Sequence, residues 1–233
     1  MSISVALAAY NGGKYIREQI ESILPQISFN DEIIISDDNP SGDTKAAVEA
    51  IDDKRIRYIA GKGRGVVANF ENALNNCTGD YIYLCDQDDV WLPDKICTVQ
   101  KMFDEGADLV LHNAYITDSV LNKSGKTSFE LYNSNSSFIK NIIKNSFVGC
   151  CMAFRRDVLI SSLPFPASIP MHDWWIGLNS IRNGYRVELT DEPLILWRRH
   201  RDNVTGRKTS LFQKIIFRIK ILAVFFHSAT RKG

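Results

Sequence analysis

No stretch of this 233-residue sequence stays apolar long enough to cross a bilayer: the longest apolar run of the C-terminal part, Ile221 to Phe226, falls far short of the roughly 18 residues needed. The N-terminus, MSISVALAAYNGGK, lacks a basic segment ahead of its apolar stretch and runs straight into turn residues, so it reads as a first strand rather than a signal peptide. No membrane-crossing segment is therefore expected. Cysteines are few and odd in number (Cys77, Cys85, Cys97, Cys150 and Cys151), and no CxxC spacing occurs, which argues against a disulfide framework or a zinc cluster. A reducing cytoplasm fits that usage. Internal repeats, low-complexity tracts and linkers are also missing, so a second domain has no boundary to start from.

What is present is an average globular composition. With 45% hydrophobic and 24% charged residues, 14 Gly and 7 Pro, disordered and collagen-like chains are excluded, and the length favours one α/β domain. The net charge of +1 hides an asymmetry. Residues 198–233 hold 10 of the 28 Lys and Arg and a single acid, Asp202, which leaves 18 basic against 26 acidic residues in 1–197. An acidic body of this kind argues against nucleic acid as a partner.

Periodicity organises the first hundred residues into strand and helix pairs. Ile3 to Ala9 is a short apolar run closing on Tyr10-Asn11-Gly12-Gly13, and Ile16, Ile20, Ile23 and Leu24 then recur at helical spacing until Pro25. Glu32 to Ser36 repeats the strand signal before the turn cluster Asp37 to Asp43 and a helix from about Thr44 to Ile51. A third pair follows at Ile56 to Ala60 and Val66 to Leu74, and a fourth strand, Tyr81 to Cys85, precedes a helix beginning near Pro93. Later strands are expected at Leu109–Asn113, Val148–Phe154 and Leu194–Trp197, with helices at Ser137–Asn145 and Asp173–Asn183. Such alternation predicts a doubly wound, mainly parallel sheet with helices on both faces, since parallel strands need crossover helices. The loops after strands one, two and four would then share the edge where ligands bind in open α/β sheets, and that edge collects Asn11, Asp37, Asp38, Asp86, Asp88 and Asp89.

Asp86-Gln87-Asp88-Asp89 sets three carboxylates at a strand end, where they repel one another unless a cation lies among them; Mg²⁺ or Mn²⁺ is the natural occupant. A solvated acidic turn ahead of a helix is the alternative. Asp37-Asp38 fits either ordinary turn chemistry or a carboxylate that accepts from a ribose hydroxyl or a pyrimidine imide. Gly61-Lys62-Gly63-Arg64-Gly65 matches neither GxGxxG nor GxxxxGK[ST], so it assigns no cofactor.

The ordered strings AAYNG, IISDDNPSGDT, GVVANFENAL, GDYIYLCDQDDVW, VGCCMAFRRDVL, MHDWWIGL and WRRHRDNVTG, spanning residues 3–206, resemble family 2 glycosyltransferases of the GT-A fold, especially bacterial rhamnosyltransferase-like enzymes of surface-polysaccharide assembly. The resemblance implies one GT-A domain over 1–206, with a nucleotide-sugar half of about 1–105 and an acceptor half of about 106–206, followed by a basic, apolar helix in 207–233. It implies inverting transfer from a dTDP- or UDP-sugar, dTDP-rhamnose first, to a saccharide or polyprenyl-linked acceptor. Ala9, Tyr10, Asn11, Asp38, Arg64 and Asp86 would meet the nucleotide sugar, and Asp86, Asp88 and His200 the Mn²⁺ or Mg²⁺. Asp173 would be the general base, with Gly149, His172, Trp174 and Trp175 on the acceptor side.

Plainer readings stand beside these. Asp173 would also serve as a helix N-cap ahead of two core tryptophans, Cys150-Cys151 as small packing residues, and Arg198 and Arg199 as either a solvated basic face or a diphosphate contact. YIYLCDQDDV also fits the nucleophile motif of haloacid-dehalogenase-like phosphatases, with Asp86 phosphorylated, and a noncatalytic sugar- or nucleotide-binding module is the other rival. The C-terminal helix, rich in Phe, Ile and basic residues, would pack on the domain or make peripheral contact with anionic lipid on the inner face of the cell membrane.

Overall fold

Strand β1 (Ile3–Ala9) is apolar at almost every position rather than at alternate ones, as a strand covered on both faces must be. In the computed structural model, which describes residues 1–201, 203 and 210–229, it lies inside a mixed sheet. The other strands are β2 (Glu32–Asp37), β3 (Ile56–Ala60), β4 (Tyr81–Asp86), β5 (Val90–Trp91), β6 (Leu109–Thr117), β7 (Lys123–Thr127), β8 (Met152–Arg155) and β9 (Val187–Arg198). The helices are α1 (Ile16–Ile23), α2 (Thr44–Glu49), α3 (Val66–Asn75), α4 (Lys95–Asp104), α5 (Ser128–Tyr132), α6 (Phe138–Ile143), α7 (Arg156–Ser162), α8 (His172–Arg182) and α9 (Leu211–Ala229). Spatially the strands run β3-β2-β1-β4-β8-β6-β9-β5, with β7 added to β6.

The first four strands are parallel, as the alternating pattern requires. Helix α1 turns Ile16, Ile20 and Ile23 to the core, each fully buried and contributing about 1.5–3 kcal/mol of apolar burial. Because β2 and β3 lie on one side of β1 and β4 on the other, strand order reverses between β1 and β4. The crevice outside their carboxyl ends is where such sheets take ligands.

Beyond β4 the expectation of a mainly parallel sheet gives way to a mixed one. Regular strand and helix alternation ends after α4, and β8 runs antiparallel to both of its neighbours, β4 and β6, while β9 returns parallel to β6. The strand expected at Val148–Phe154 begins later, because Gly149–Cys151 forms a 3-10 turn and only Met152 onward joins the sheet. Helix α8 begins at His172, and its N-cap is Met171 rather than Asp173, which lies in the first turn. β6 and β9 are longer than their apolar runs suggested, and β5, β7, α5 and α7 had no clear periodic signal. Among the described residues no helix is long and apolar enough to cross a membrane. Asp202, Arg207, Lys208, Arg231 and Lys232 of the basic C-terminal part lie outside the described residues.

Candidate active site

The loop after β1 is held by a residue of the acidic motif. Gln87 accepts from the Tyr10 N–H through Oε1 at 2.8 Å and donates from Nε2 to Tyr10 O at 3.0 Å, fixing that backbone in both directions. A Cβ on Gly12 would lie 2.2 Å from Gln87 Oε1, so a larger residue there would push the Gln87 side chain off Tyr10. Asn11 adopts φ 52, a left-handed conformation that asparagine tolerates, and its Oδ1 accepts from Asn39 at 2.7 Å. Ala9 is buried and contributes its carbonyl, which accepts from Asp38 N and Asn69 Nδ2, both at 2.9 Å. Tyr10 stands at the rim, 60% exposed.

Asp37 and Asp38 do different things although adjacent. Asp37 is fully buried and accepts from the Tyr58 hydroxyl at 2.8 Å and from Asn39 N at 3.0 Å. Asp38 gathers the glycine loop: Oδ1 accepts from Gly63 N at 2.8 Å and Arg64 N at 3.4 Å, and Oδ2 from Gly65 N at 2.7 Å. A loop with φ of +64 at Gly63 and +88 at Gly65 thus wraps its amides around a carboxylate of this chain. Arg64 is exposed on that loop.

At the end of β4 the three acids of the motif separate. Asp88 is buried, with Oδ2 lying 2.7 Å from His200 Nε2 and accepting from Asn203 Nδ2 at 2.9 Å; Asn203 in turn accepts from His200 N at 2.6 Å. Asp89 Oδ1 accepts from Arg198 N at 3.0 Å, while its buried Oδ2 has no hydrogen-bond partner. Asp86, Asp89 and Cys150 bring one ligand atom each within 4.8 Å of one another. Burial, then the charges of Asp88 and Asp173, push the Asp86 carboxyl up to about 7, and burial with the same crowding raises Asp89 well above the usual range. Beneath them Lys95 is fully buried, donating to Cys150 O at 3.1 Å with its ammonium 3.9 Å from the centre of the Trp91 ring.

Arg198 is no exposed basic residue. Its Nε donates to Asp88 O at 2.7 Å, Nη1 to Ser119 O at 2.9 Å, and Nη2 pairs with Glu18, so it ties β9 to the acidic loop and to α1. Gln87, Asn203, Lys95 and Glu18 were not singled out from the sequence. Only Gln87, inside the acidic motif, carried a local signal.

The opposite wall comes from α8 and the Gly149 turn. Asp173 is buried, Oδ1 accepting from Trp174 N at 2.6 Å. Burial raises its carboxyl to about 6, opposed by the N–H groups of Trp174 and Gly149 and the Asn145 side chain. His172 is stacked on Phe70 at 3.8 Å with neither ring nitrogen hydrogen-bonded among the described residues, and burial lowers it to about 3, so it is neutral. A Cβ on Gly149 would meet His172 Nε2 at 2.8 Å. Trp174 and Trp175, expected on the acceptor side, are both buried, and their indole N–H groups donate to Asn141 O at 2.8 Å and Ser162 O at 2.9 Å.

Residues 4–163 match the family model described as Glycosyl transferase family 2. The chain belongs to that family. Its fold is that of GT-A glycosyltransferases, and it contains S. aureus TarS 1-349, solved with UDP-GlcNAc, among its neighbours (TM-score 0.70, 18% identity, covering 90% of this chain and 62% of that one). Glucosyl-3-phosphoglycerate synthase from Mycobacterium tuberculosis, solved with Mn²⁺, UDP and phosphoglyceric acid, superposes with a TM-score of 0.62 at 20% identity, covering 97% of this family 2 chain and 78% of the synthase. This chain thus spans less than two thirds of the TarS structure. Among sequence relatives, WfaP of Escherichia coli, a UDP-Glc:alpha-D-GlcNAc-diphosphoundecaprenol beta-1,3-glucosyltransferase, is 25% identical over 94% of this chain and 85% of its own length. RfbG of Shigella flexneri, a dTDP-rhamnosyl transferase, is 26% identical over 89% of this chain and 76% of its own.

Proposed function

We propose that this family 2 glycosyltransferase is a metal-dependent, inverting enzyme with Asp173 as its general base. The observation that carries the reading is a buried carboxyl, Asp173, in the first turn of α8, on a different element from the loop that carries Asp86, Asp88 and Asp89 and close enough to Asp86 for their charges to interact.

The cluster fits a hard divalent cation. Asp88 Oδ2 and His200 Nε2 converge at 2.7 Å, Asp89 Oδ2 is buried without a partner among the described residues, and burial, then repulsion from Asp88 and Asp173, holds Asp86 up to about 7, a conflict that a cation relieves. Asp86, Asp88 and His200 would hold it; bound there, Mn²⁺ or Mg²⁺ neutralises a diphosphate and stabilises it as a leaving group. Asp38 has lone pairs left beyond those used by the glycine loop, and one of them accepts the imide N–H of a pyrimidine, while Ala9, Tyr10, Asn11 and Arg64 border the nucleotide. On the far side the Gly149 and Trp174 amides aim the Asp173 carboxylate. It takes the proton of an acceptor hydroxyl as that oxygen bonds to the anomeric carbon and the bond to the diphosphate oxygen breaks; the proton ends on Asp173 and the anomeric configuration inverts.

The names of RfbG and WfaP support a dTDP- or UDP-sugar donor, dTDP-rhamnose first, and a saccharide or polyprenyl-linked acceptor in bacterial surface-polysaccharide synthesis. The enzyme would then be cytoplasmic and meet the membrane from its inner face. Titration calorimetry of dTDP, UDP and GDP with Mn²⁺ and with EDTA tests the donor side, and NMR of the product tests inversion. Pyrimidine diphosphates should bind only with metal and more tightly than GDP. Binding unchanged in EDTA, tighter GDP, or retained configuration would each refute the corresponding part.

A further inference from the structure

Two stretches of this sequence contain no acid at all, 131–156 and 203–233. The structure brings them together. Arg218 of α9 donates from Nε to Ile143 O of α6 at 2.6 Å, and Phe225 packs edge-on against Phe138 at 5.5 Å and stacks on Trp175 at 5.2 Å. Those contacts use one face of α9, where Ile221, Val224 and Phe225 are buried.

The outward face is apolar too. Phe212, Ile215 and Ile219, at i, i+3 and i+7, are 72%, 46% and 60% exposed, and Ile139 and Ile143, one turn apart on α6, are 71% and 59% exposed. Exposed Lys140, Lys144, Lys214 and Lys220 lie on or immediately beside the same two helices, each next in sequence to one of the exposed isoleucines. Single exposed isoleucines need no explanation, but five large apolar side chains on two joined helices, interspersed with lysines and free of acids, do. A surface that inserts apolar side chains while its lysines find negative charge in the same plane is complementary to an anionic bilayer.

We propose that the exposed faces of α6 and α9 form one docking surface for an anionic lipid membrane. It also backs onto the proposed base: Asn141 O of α6 accepts from Trp174 Nε1 at 2.8 Å, and Trp174 N donates to the Asp173 carboxyl at 2.6 Å. An acceptor held in the bilayer would therefore meet the α8 wall rather than the nucleotide edge. The inference deepens the lipid-linked acceptor reading and rests on it for its purpose, not for its test.

The test is flotation of the full chain with phosphatidylcholine vesicles, with and without phosphatidylglycerol, in the absence of donor, metal and acceptor. Failure here leaves glycosyl transfer standing, and failure of donor binding leaves this surface standing. The expected result is binding to the anionic vesicles only, reduced about tenfold or more by Ile139→Ser with Ile143→Ser, by Ile215→Ser with Ile219→Ser, and by Lys140→Glu with Lys144→Glu. Circular dichroism checks that each variant keeps the fold. No flotation with anionic vesicles would overturn the proposal, as would α6 variants that float like wild type. Sedimentation showing a dimer that these same variants dissociate, without vesicle binding, would make the surface an interface between copies and would also overturn it.

Discussion

The loops after β2 and β4 and the first turn of α8 hold their buried polar groups differently. On the nucleotide side Asp37, Asp38 and Asp88 are buried, yet each accepts at least two hydrogen bonds, mostly from neighbouring loops. On the α8 side Asp173 is held at about 6 despite its amide donors, and His172 has no partner for either nitrogen. Apart from Asp86 and Asp89, which are crowded and raised, the acids of the first wall hold its loops, and the second wall keeps a raised carboxyl and a buried neutral imidazole. Perturbed groups in a cleft are candidates for chemistry, so the contrast supports the proposed base at Asp173 and the proposed cation site at the crowded Asp86 and Asp89.

The largest effect should come from disabling the reactive wall. Asp173→Asn is expected to lower kcat by about 10²–10⁴-fold with donor affinity nearly unchanged. Because the base must be ionised, wild-type kcat should rise with pH through about 6 and level off above it. Steady-state kinetics across pH check both. A variant within about tenfold of wild type would remove Asp173 from the mechanism and erase the contrast.

Disturbing the positioning wall should cost less and cost it in binding. Asp38→Ala strips the partner from the amides of Gly63 and Gly65, a loss of about 1–3 kcal/mol when such groups stay unpaired, and should raise the donor KM while kcat at saturating donor is largely kept. Thermal unfolding and donor saturation curves measure it. Smaller again is Asn203→Ala, which removes one of the two groups orienting Asp88 Oδ2 and should weaken Mn²⁺ binding about tenfold by calorimetry. Unchanged metal affinity would detach Asn203, and the segment around it, from the metal site.

The same contrast explains what could be read from the sequence. The first hundred residues were legible because their strands are continuous apolar runs and their loops are turn formers at strand ends, so β1 to β4, α1 and α3 fall within a residue or two of their expected bounds. Past residue 105 long-range pairing decides. β9 extends through polar Glu188, Thr190 and Asp191 because β6 pairs with it, and Gly149 turns the chain where a plain apolar run suggested a strand. The site divides likewise. Asp38, Asp86, Asp88 and Asp173 were visible as motifs, whereas Lys95 and Glu18 matter only because packing puts one beneath Cys150 and the other against Arg198.

The subtlest expected effect concerns His172 and Asp173, neighbours whose titrations oppose each other. His172 falls to about 3 in the folded state against an ordinary value of 6.5, so between those limits the unfolded chain binds a proton that the folded one does not, and stability falls as pH is lowered. Asp173 rises to about 6 from 3.8, so between those limits the folded chain holds the extra proton and stability grows as pH is lowered. Near pH 5 the two nearly cancel. Asp86 also lies close enough for its charge to couple to Asp173, and bound metal would hold it ionised, so the comparison is made with Mn²⁺ present. His172→Leu removes the first contribution and leaves the second, so between pH 6 and 4 the variant should gain stability relative to wild type by about 1.4 kcal/mol per pH unit where both groups are fully linked. At pH 7 it should be no less stable, since it deletes two unsatisfied nitrogens from beside Phe70. Denaturant unfolding of wild type, His172→Leu and Asp173→Asn at several pH values separates the two contributions. Parallel pH dependences for wild type and His172→Leu would mean that the imidazole finds a partner in solution, and that the two walls differ less than their hydrogen bonds indicate.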